Sequence, residues 1–464
     1  MKPVCLCLSF FLLLNLCLQA GQKGGYLPKQ ALALYDTITD KPFRHTPSKA
    51  AEWFPEAGFG LFIHWGIHSV AALDPSWSML KNCPWLKEDR TVTPEQYYRL
   101  AHEFNPQNYD PEKWVVVAKA AGFQYMVITT KHHDGYCLWP SGYGKFNTGN
   151  FMGGRDLLKP FVDACRKYGM KIGFYFSPRD WSNPDYPPAV KNSDFEQKIT
   201  GIRYPEEINQ QKFDSFFRYT LGQLSEILTL YGKIDVLWFD GIDWPGVNTH
   251  SGKLHAWLRA VQPDMVINPR WETNDEKLDF GDFRTEEIQW RKHMDSRPYA
   301  PGTWWEFNET WSGHWGYSPL ALYRDFDKVM AALVYTRSYG GNYLPDIGPQ
   351  PDGNMRPGFY EQCRKLSDWM EKNKESVIGT TDFADWKEIS NVPLTRRQAC
   401  IYAHLLSDFR GEIHIRFKTK PEKVILLENG KCLPFEYQNQ EILIHTDHIR
   451  RNFTDDVIKI SFIE

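Results

Sequence analysis

Three apolar runs in this chain end on side chains that can do chemistry. Ile234-Asp235-Val236-Leu237-Trp238-Phe239-Asp240-Gly241 reads as a buried strand that finishes on a carboxylate. Phe59-Gly60-Leu61-Phe62-Ile63-His64-Trp65-Gly66 finishes on a histidine, and the run from Tyr125 to Gly135 finishes on the pair His132-His133. The two-residue period of a strand puts Gly60, Phe62 and His64 on one face, and it does the same for Val236, Trp238 and Asp240. A β/α barrel carries its chemistry at the C-terminal ends of its parallel strands. Strand ends rich in Trp, His and Asp suit a sugar, because rings cover its apolar faces and polar groups bond its hydroxyls. A lone Asp at a strand end can merely cap the next loop. That reading weakens here, because the same rim would also carry His64, His132, His133, Tyr175 and Arg270.

Cleaving a glycosidic bond takes two carboxyl groups, one to attack or to activate water and one to protonate the leaving oxygen. The proton donor must stay protonated, which needs an apolar or charge-crowded setting. After Arg270 the chain offers Glu286 and Glu287 in Gly281-Asp282-Phe283-Arg284-Thr285-Glu286-Glu287. It also offers Glu306 and Glu309 in Trp304-Trp305-Glu306-Phe307-Asn308-Glu309-Thr310. Spacing alone does not choose among them. Glu306, beside Trp304 and Trp305, is the one that composition would desolvate. His132-His133-Asp134 invites a metal, but adjacent histidines on a strand point to opposite faces and no further ligand spacing follows. Neither a metal nor a cofactor is expected.

The elements that must position these groups alternate. From Phe59 to about Val377, apolar strands follow helical patterns: Pro111 to Gly122, Arg155 to Lys167, Phe213 to Leu230, Leu254 to Val261, Leu320 to Ser338 and Tyr360 to Lys372. Repeated strand-then-helix order predicts a parallel sheet, and this many units favours closure into a (β/α)8-like barrel. Past Ser376 the pattern is strand-only, with runs at Gly411–Phe417, Val424–Leu427, Glu441–His445 and Val457–Phe462. These predict a small antiparallel β-sandwich. The expected division is a leader at 1–20, a catalytic barrel at 21–375 and a sandwich at 376–464. The sandwich is expected to brace the barrel rather than to bind sugar.

At 464 residues the chain has room for both units, and a net charge of −3 gives no electrostatic case for nucleic acid or an anionic membrane. Met1-Lys2-Pro3, the apolar stretch Val4–Leu18 and Gln19-Ala20-Gly21 have the form of a secretory signal cut after Ala20. Cys17 fits a lipoprotein site poorly. No later stretch is apolar enough to span a membrane, so an exported protein is expected, periplasmic or secreted. Cys83, Cys137, Cys165, Cys363, Cys400 and Cys432 show no CxxC or zinc spacing and read mostly as buried thiols. Asn308-Glu309-Thr310 and Asn452-Phe453-Thr454 match glycosylation acceptors, a pattern frequent by chance.

The strings Phe-Gly-Leu-Phe-Ile-His-Trp-Gly, Thr-Lys-His-His-Asp-Gly-Tyr, Trp-Phe-Asp-Gly and Gly-Asp-Phe-Arg-Thr-Glu-Glu, in this order, resemble glycoside hydrolase family 29, the retaining α-L-fucosidases. The resemblance runs from about Phe54 to Pro349. It implies Asp240 as nucleophile and Glu287 as acid/base; Glu306, with the more apolar neighbours, stays as the alternative acid/base. It implies His64, His132, His133, Tyr175, Trp238 and Arg270 as sugar-binding residues, and a fucosylated oligosaccharide or glycoconjugate as substrate. Many members carry a Glu-Trp pair after the first strand. Here Ser76-Trp77-Ser78 stands at that place. Trp77 can still cover the sugar, but a hydroxyl does not replace a carboxylate's charge-assisted bond one for one. Ser76 therefore motivates an alternative, an exo-glycosidase for a related sugar such as α-L-galactose. A non-catalytic sugar-binding barrel is the rival from another class.

Overall fold

A computed structural model describes residues 26–80, 86, 91–186, 209–240, 250–271, 280–287, 296–381, 383, 386–447 and 449–463. The expected leader and Cys83 lie outside these residues. Eight parallel strands form one curled sheet: β1 (Gly60–Ile63), β2 (Tyr125–Lys131), β3 (Lys171–Phe176), β4 (Val236–Phe239), β5 (Val266–Ile267), β6 (Arg284–Glu287), β7 (Trp305–Thr310) and β8 (Asn342–Ile347). Their order is β5-β4-β3-β2-β1-β8-β7-β6. The expected closure is incomplete, since among the described residues no ladder joins β5 to β6. Asp282 spans that seam at its lower end. Its backbone N–H donates to the Ile267 carbonyl at 2.6 Å, and its carboxylate accepts from the Ile267 N–H at 2.9 Å and the Thr46 N–H at 2.7 Å. The Arg259 guanidinium neutralises that buried carboxylate.

The strands are buried on both faces, and the period of two sorts their side chains. Phe62, Tyr125, Val127, Tyr175, Val236 and Trp238 meet inside the sheet. Leu61, Met126, Ile128, Phe174 and Leu237 face outward into the core shared with the helices. Helix Pro111–Ala120 starts where the Asp110 side chain accepts from the Lys113 N–H, has proline at its first position, and is followed by Gly122 at φ 93°. Helix Gln210–Thr229 begins with an equivalent Asn209 cap and leads to β4. The helix expected from Leu320 begins only at Phe326. Arg324 explains the late start: its N–H donates to the Trp311 carbonyl and its guanidinium pairs with Glu309 at 3.0 Å, which holds the segment to β7. Leu320 and Leu322 are left exposed.

Beyond helix Pro357–Asn373 come two antiparallel sheets, as expected. One has the order β12 (Lys423–Leu426), β15 (Asp455–Ser461), β10 (Cys400–Leu406), β9 (Leu394–Arg397); the other has β11 (Ile413–Arg416), β14 (Glu441–Ile444), β13 (Phe435–Gln438). β11 alternates buried and exposed residues, as a one-sided strand must. β10 is buried along nearly its whole length, because its sheet also packs against the barrel helix Phe326–Ser338. Trp369 Nε1 donates to the Asp455 carbonyl at 2.7 Å and fastens the two units.

Cys137, Cys165 and Cys363 are buried thiols, Cys400 is half-buried and Cys432 exposed, all unpaired. Asn308 is fully buried in β7, which removes it as a glycosylation acceptor in the folded chain, whereas Asn452 is exposed. No described helix is long and apolar enough to cross a membrane.

Candidate active site

Asp240 is the first residue beyond β4, at the C-terminal rim of the sheet. Its carboxylate accepts from the Tyr175 hydroxyl at 2.8 Å through Oδ2 and pairs with Arg270 Nη2 at 2.9 Å through Oδ1. Arg270 follows β5 and lies over the Trp238 ring, 4.9 Å from its centroid. Its other terminal nitrogen, Nη1, donates to Glu287 Oε2 at 2.8 Å. One guanidinium therefore grips two carboxylates, one from each side of the β5–β6 seam. Burial alone would raise the Asp240 carboxyl, but the adjacent Arg270 charge, with His132, the Tyr175 hydroxyl and Arg179 adding to it, outweighs burial and holds the group below the usual carboxylate range. A carboxylate kept ionised and aimed into a pocket is suited to nucleophilic attack.

The rim histidines close the pocket. His64 packs on Phe62 at 4.5 Å and Tyr175 at 5.3 Å, and its Nδ1 lies 2.6 Å from Asp346 Oδ1. His132 stacks on Tyr175 with centroids 5.4 Å apart and planes 1° from parallel. His133 brings Nε2 to 3.6 Å from Asp240 Oδ2. The expectation that the two adjacent histidines face apart is corrected. β2 ends at Lys131, so neither residue follows strand alternation, and the rings lie 4.2 Å apart in one pocket. Trp77 stands edge-on to His133 at 5.1 Å. The structure thus brings together Asp240, Glu287, His64, Trp77, His132, His133, Tyr175, Trp238 and Arg270.

Glu306 is set apart from them. It is wholly buried beneath the rim, where its oxygens accept from Trp238 Nε1 at 2.9 Å and the Tyr125 hydroxyl at 2.5 Å. Burial pushes its carboxyl up to about 7. The expected desolvation is there, but Trp305 is not its cause. Strand alternation turns Trp305 outward, to bond the Tyr339 carbonyl. Glu286 also faces away from Glu287, and accepts from the Tyr299 hydroxyl at 2.6 Å.

The alpha-L-fucosidase family model matches residues 35–375. The chain belongs to this family. The tissue alpha-L-fucosidase of Macaca fascicularis is 30% identical over 381 residues, 76% of this chain and 75% of that protein. Among solved structures, alpha-L-fucosidase isoenzyme 1 from Paenibacillus thiaminolyticus is 28% identical with a TM-score of 0.74, over 90% of this chain and 99% of that one. An alpha-L-fucosidase from Bacteroides thetaiotaomicron is 25% identical with a TM-score of 0.75, over 91% and 97%. The chain is a glycoside hydrolase, an α-L-fucosidase.

Several parts of this fucosidase pocket escaped the sequence. Trp181, just beyond β3, packs 5.7 Å from Trp77 and 5.4 Å from His133. Trp315, in the segment after β7, lies 5.2 Å from His64. Both are tryptophans shortly after a barrel strand, the one signal that would have singled them out. Ser76 is fully buried, and its Oγ lies 2.6 Å from His132 Nδ1.

The donor atoms of His132, His133 and Asp240 lie within 4.8 Å of one another, a spacing that could admit a cation. The donor set argues against it. Asp240 is already bonded to a guanidinium and a phenol, so a metal there would sit against the Arg270 charge.

Proposed function

We propose that this α-L-fucosidase releases terminal fucosyl residues by double displacement, the retaining course implied by the family resemblance, with Asp240 as nucleophile and Glu287 as acid/base. The observation that carries the assignment is the Arg270 fork, which holds a depressed carboxylate on one side and a partly exposed one on the other. Asp240 attacks the anomeric carbon while Glu287 donates its proton to the departing oxygen. As charge leaves Asp240 for the new ester bond, the Tyr175 hydroxyl and Arg270 reorganise little, being already in place. Glu287 then takes a proton from water, which opens the glycosyl-enzyme. His64, His132, His133, Trp77 and Trp238 bind the sugar and exclude water around it.

The α-L-galactose alternative gives way to the family match over residues 35–375. Export rests on the form of the first 20 residues, and secretion of a reporter fused behind them tests it. For the chemistry, proton NMR of early aryl fucoside hydrolysis should show the α-anomer first. Initial β-anomer would mean inversion and would end the double-displacement assignment.

A further inference from the structure

The sequence offered Asn308 only as part of a glycosylation tripeptide, yet in the fold it stands level with Glu287. In the β6–β7 ladder it pairs with Glu287, and in the β7–β8 ladder with Leu344. Leu344 lies inside the sheet. So does Glu306, two residues before Asn308 and on the same face, where it meets Trp238 and Tyr125. Asn308 therefore points inward from β7, on the flank of Glu287 opposite Arg270. Neighbouring strands run about 4.8 Å apart, so paired side chains on one face come within reach of each other.

Asn308 is fully buried, and neither its Oδ1 nor its Nδ2 has a hydrogen-bond partner. Two other fully buried asparagines of the barrel are engaged at both ends. Asn268 donates to the Phe239 carbonyl and accepts the Phe239 N–H, at 2.9 and 2.8 Å. Asn342 donates to the Phe54 carbonyl and accepts the Gly58 N–H, at 2.7 and 2.8 Å. An unmet buried amide destabilises the fold, and a leucine of similar shape would not. Such groups call for a reason, and a partner that arrives during the reaction is one.

Glu287, the proposed acid/base, accepts from Arg270 Nη1 at 2.8 Å. A guanidinium only donates, so that bond suits the ionised carboxyl. The same carboxyl must also stand protonated until it meets the leaving oxygen. Then it has an O–H to give and a carbonyl oxygen to be bonded, and an amide offers a match for each. The charged groups placed around Glu287 by the described residues are Arg270 and Asp240 across the seam and Glu306 lower on β7, whereas the Asn308 amide is neutral. We propose that Asn308 is a positioning residue that receives Glu287 in its protonated state, so that the side chain turns to Arg270 when ionised and to Asn308 when it carries the proton. Oδ1 accepts the carboxyl O–H until a leaving oxygen displaces it, while Nδ2–H keeps hold of the other carboxyl oxygen. The proton then passes to the leaving oxygen as the glycosidic bond breaks, and the carboxylate returns to Arg270. The inference rests on Glu287 as acid/base.

Asn308→Leu in the full chain tests this. On fucosides with poor leaving groups its kcat/KM should fall about tenfold. The basic limb of the pH profile should move to lower pH, because the protonated carboxyl has lost its partner. The first step on a nitrophenyl fucoside, which needs little acid help, should change less than about twofold. In the Glu287→Ala background the same substitution should move neither rate nor limb. The leucine variant should melt no lower than wild type, since it leaves no amide unmet. A basic limb that Glu287→Ala flattens and Asn308→Leu leaves in place overturns the inference and spares the acid/base assignment. A limb that Glu287→Ala does not flatten overturns both. A leucine variant that melts well below wild type, or does not fold, shows an amide tied into the fold through buried water, and it overturns the inference as well.

Discussion

Glu306 and Glu287 sit on neighbouring strands two residues apart in register: Thr285 pairs with Glu306, and Glu287 with Asn308. The lower position puts Glu306 among Tyr125 and Trp238, with both oxygens taken and no exposure. The upper position leaves the Glu287 side chain 32% exposed and tied to Arg270. The two carboxyls share a sheet face and differ in access. Apolar surroundings keep a carboxyl protonated, but a proton donor must also reach the leaving oxygen, and burial deep enough to supply the first removes the second. Glu306 carries a raised pKa without access to solvent, whereas Glu287, the proposed acid/base, is partly exposed.

That contrast can be broken most sharply at the proposed nucleophile. Asp240→Asn should cost at least about a thousandfold in kcat, roughly 4 kcal/mol of barrier, with azide restoring part of it. Activity above about a tenth of wild type in steady-state assays would move the nucleophile elsewhere. Glu287→Ala comes next. It should cripple natural oligosaccharides, spare the first step on a nitrophenyl fucoside, and flatten the basic limb of the pH profile. If Glu306→Ala gives that pattern instead, the upper and lower layers exchange roles.

Arg270→Met removes the charge but keeps a stem over Trp238. Since Arg270 holds the Asp240 carboxyl down, its loss raises that group, and the acidic limb of kcat/KM should move to higher pH. A fall of roughly a hundredfold, about 2.7 kcal/mol, is expected at the optimum. An unmoved acidic limb would show that Arg270 does not tune Asp240.

Glu306→Gln should leave kcat within about threefold, less than 1 kcal/mol of barrier, and act on stability. The folded group titrates near 7 and the unfolded one near 4.5. Between those values the native state holds the extra proton, so wild-type stability falls as pH rises through this window. The glutamine variant lacks that loss, by up to roughly 3 kcal/mol. Melting curves at pH 5 and pH 8 should therefore converge for the variant. The smallest effect belongs to a chelator, which should leave turnover unchanged; loss restored by zinc would revive a metal at His132, His133 and Asp240.

The barrel was legible where strands are buried on both faces, as in β1, β2 and β4, because apolar runs of that length have few other uses. β6 was not, since Arg284-Thr285-Glu286-Glu287 has no apolar alternation; its inward side faces the reaction rather than a core. β9, β10 and β13 were missed too, and β10 offers no one-sided pattern to read. At the site, residue identities came through and neighbours did not. Trp304 and Trp305 adjoin Glu306 in sequence, yet the groups that touch it come from β2 and β4, 181 and 68 residues away. The histidine pair was misread because strand periodicity was carried past Lys131. Ser76 read as a missing carboxylate, because only the folded chain shows its hydroxyl buried beside His132 Nδ1.

The seam between β5 and β6 gives the active site a mechanical character. Asp240 follows a strand paired with β3 and β5, whereas among the described residues β6 pairs only with β7. Asp282 pins the lower end of the gap, and at the upper end the Arg270–Glu287 contact is the tie. Across that gap the two carboxyls are joined by the Arg270 guanidinium. Arg270 is thus a bridge as well as a charge, and its loss would unfasten the proposed nucleophile and the proposed acid/base from each other.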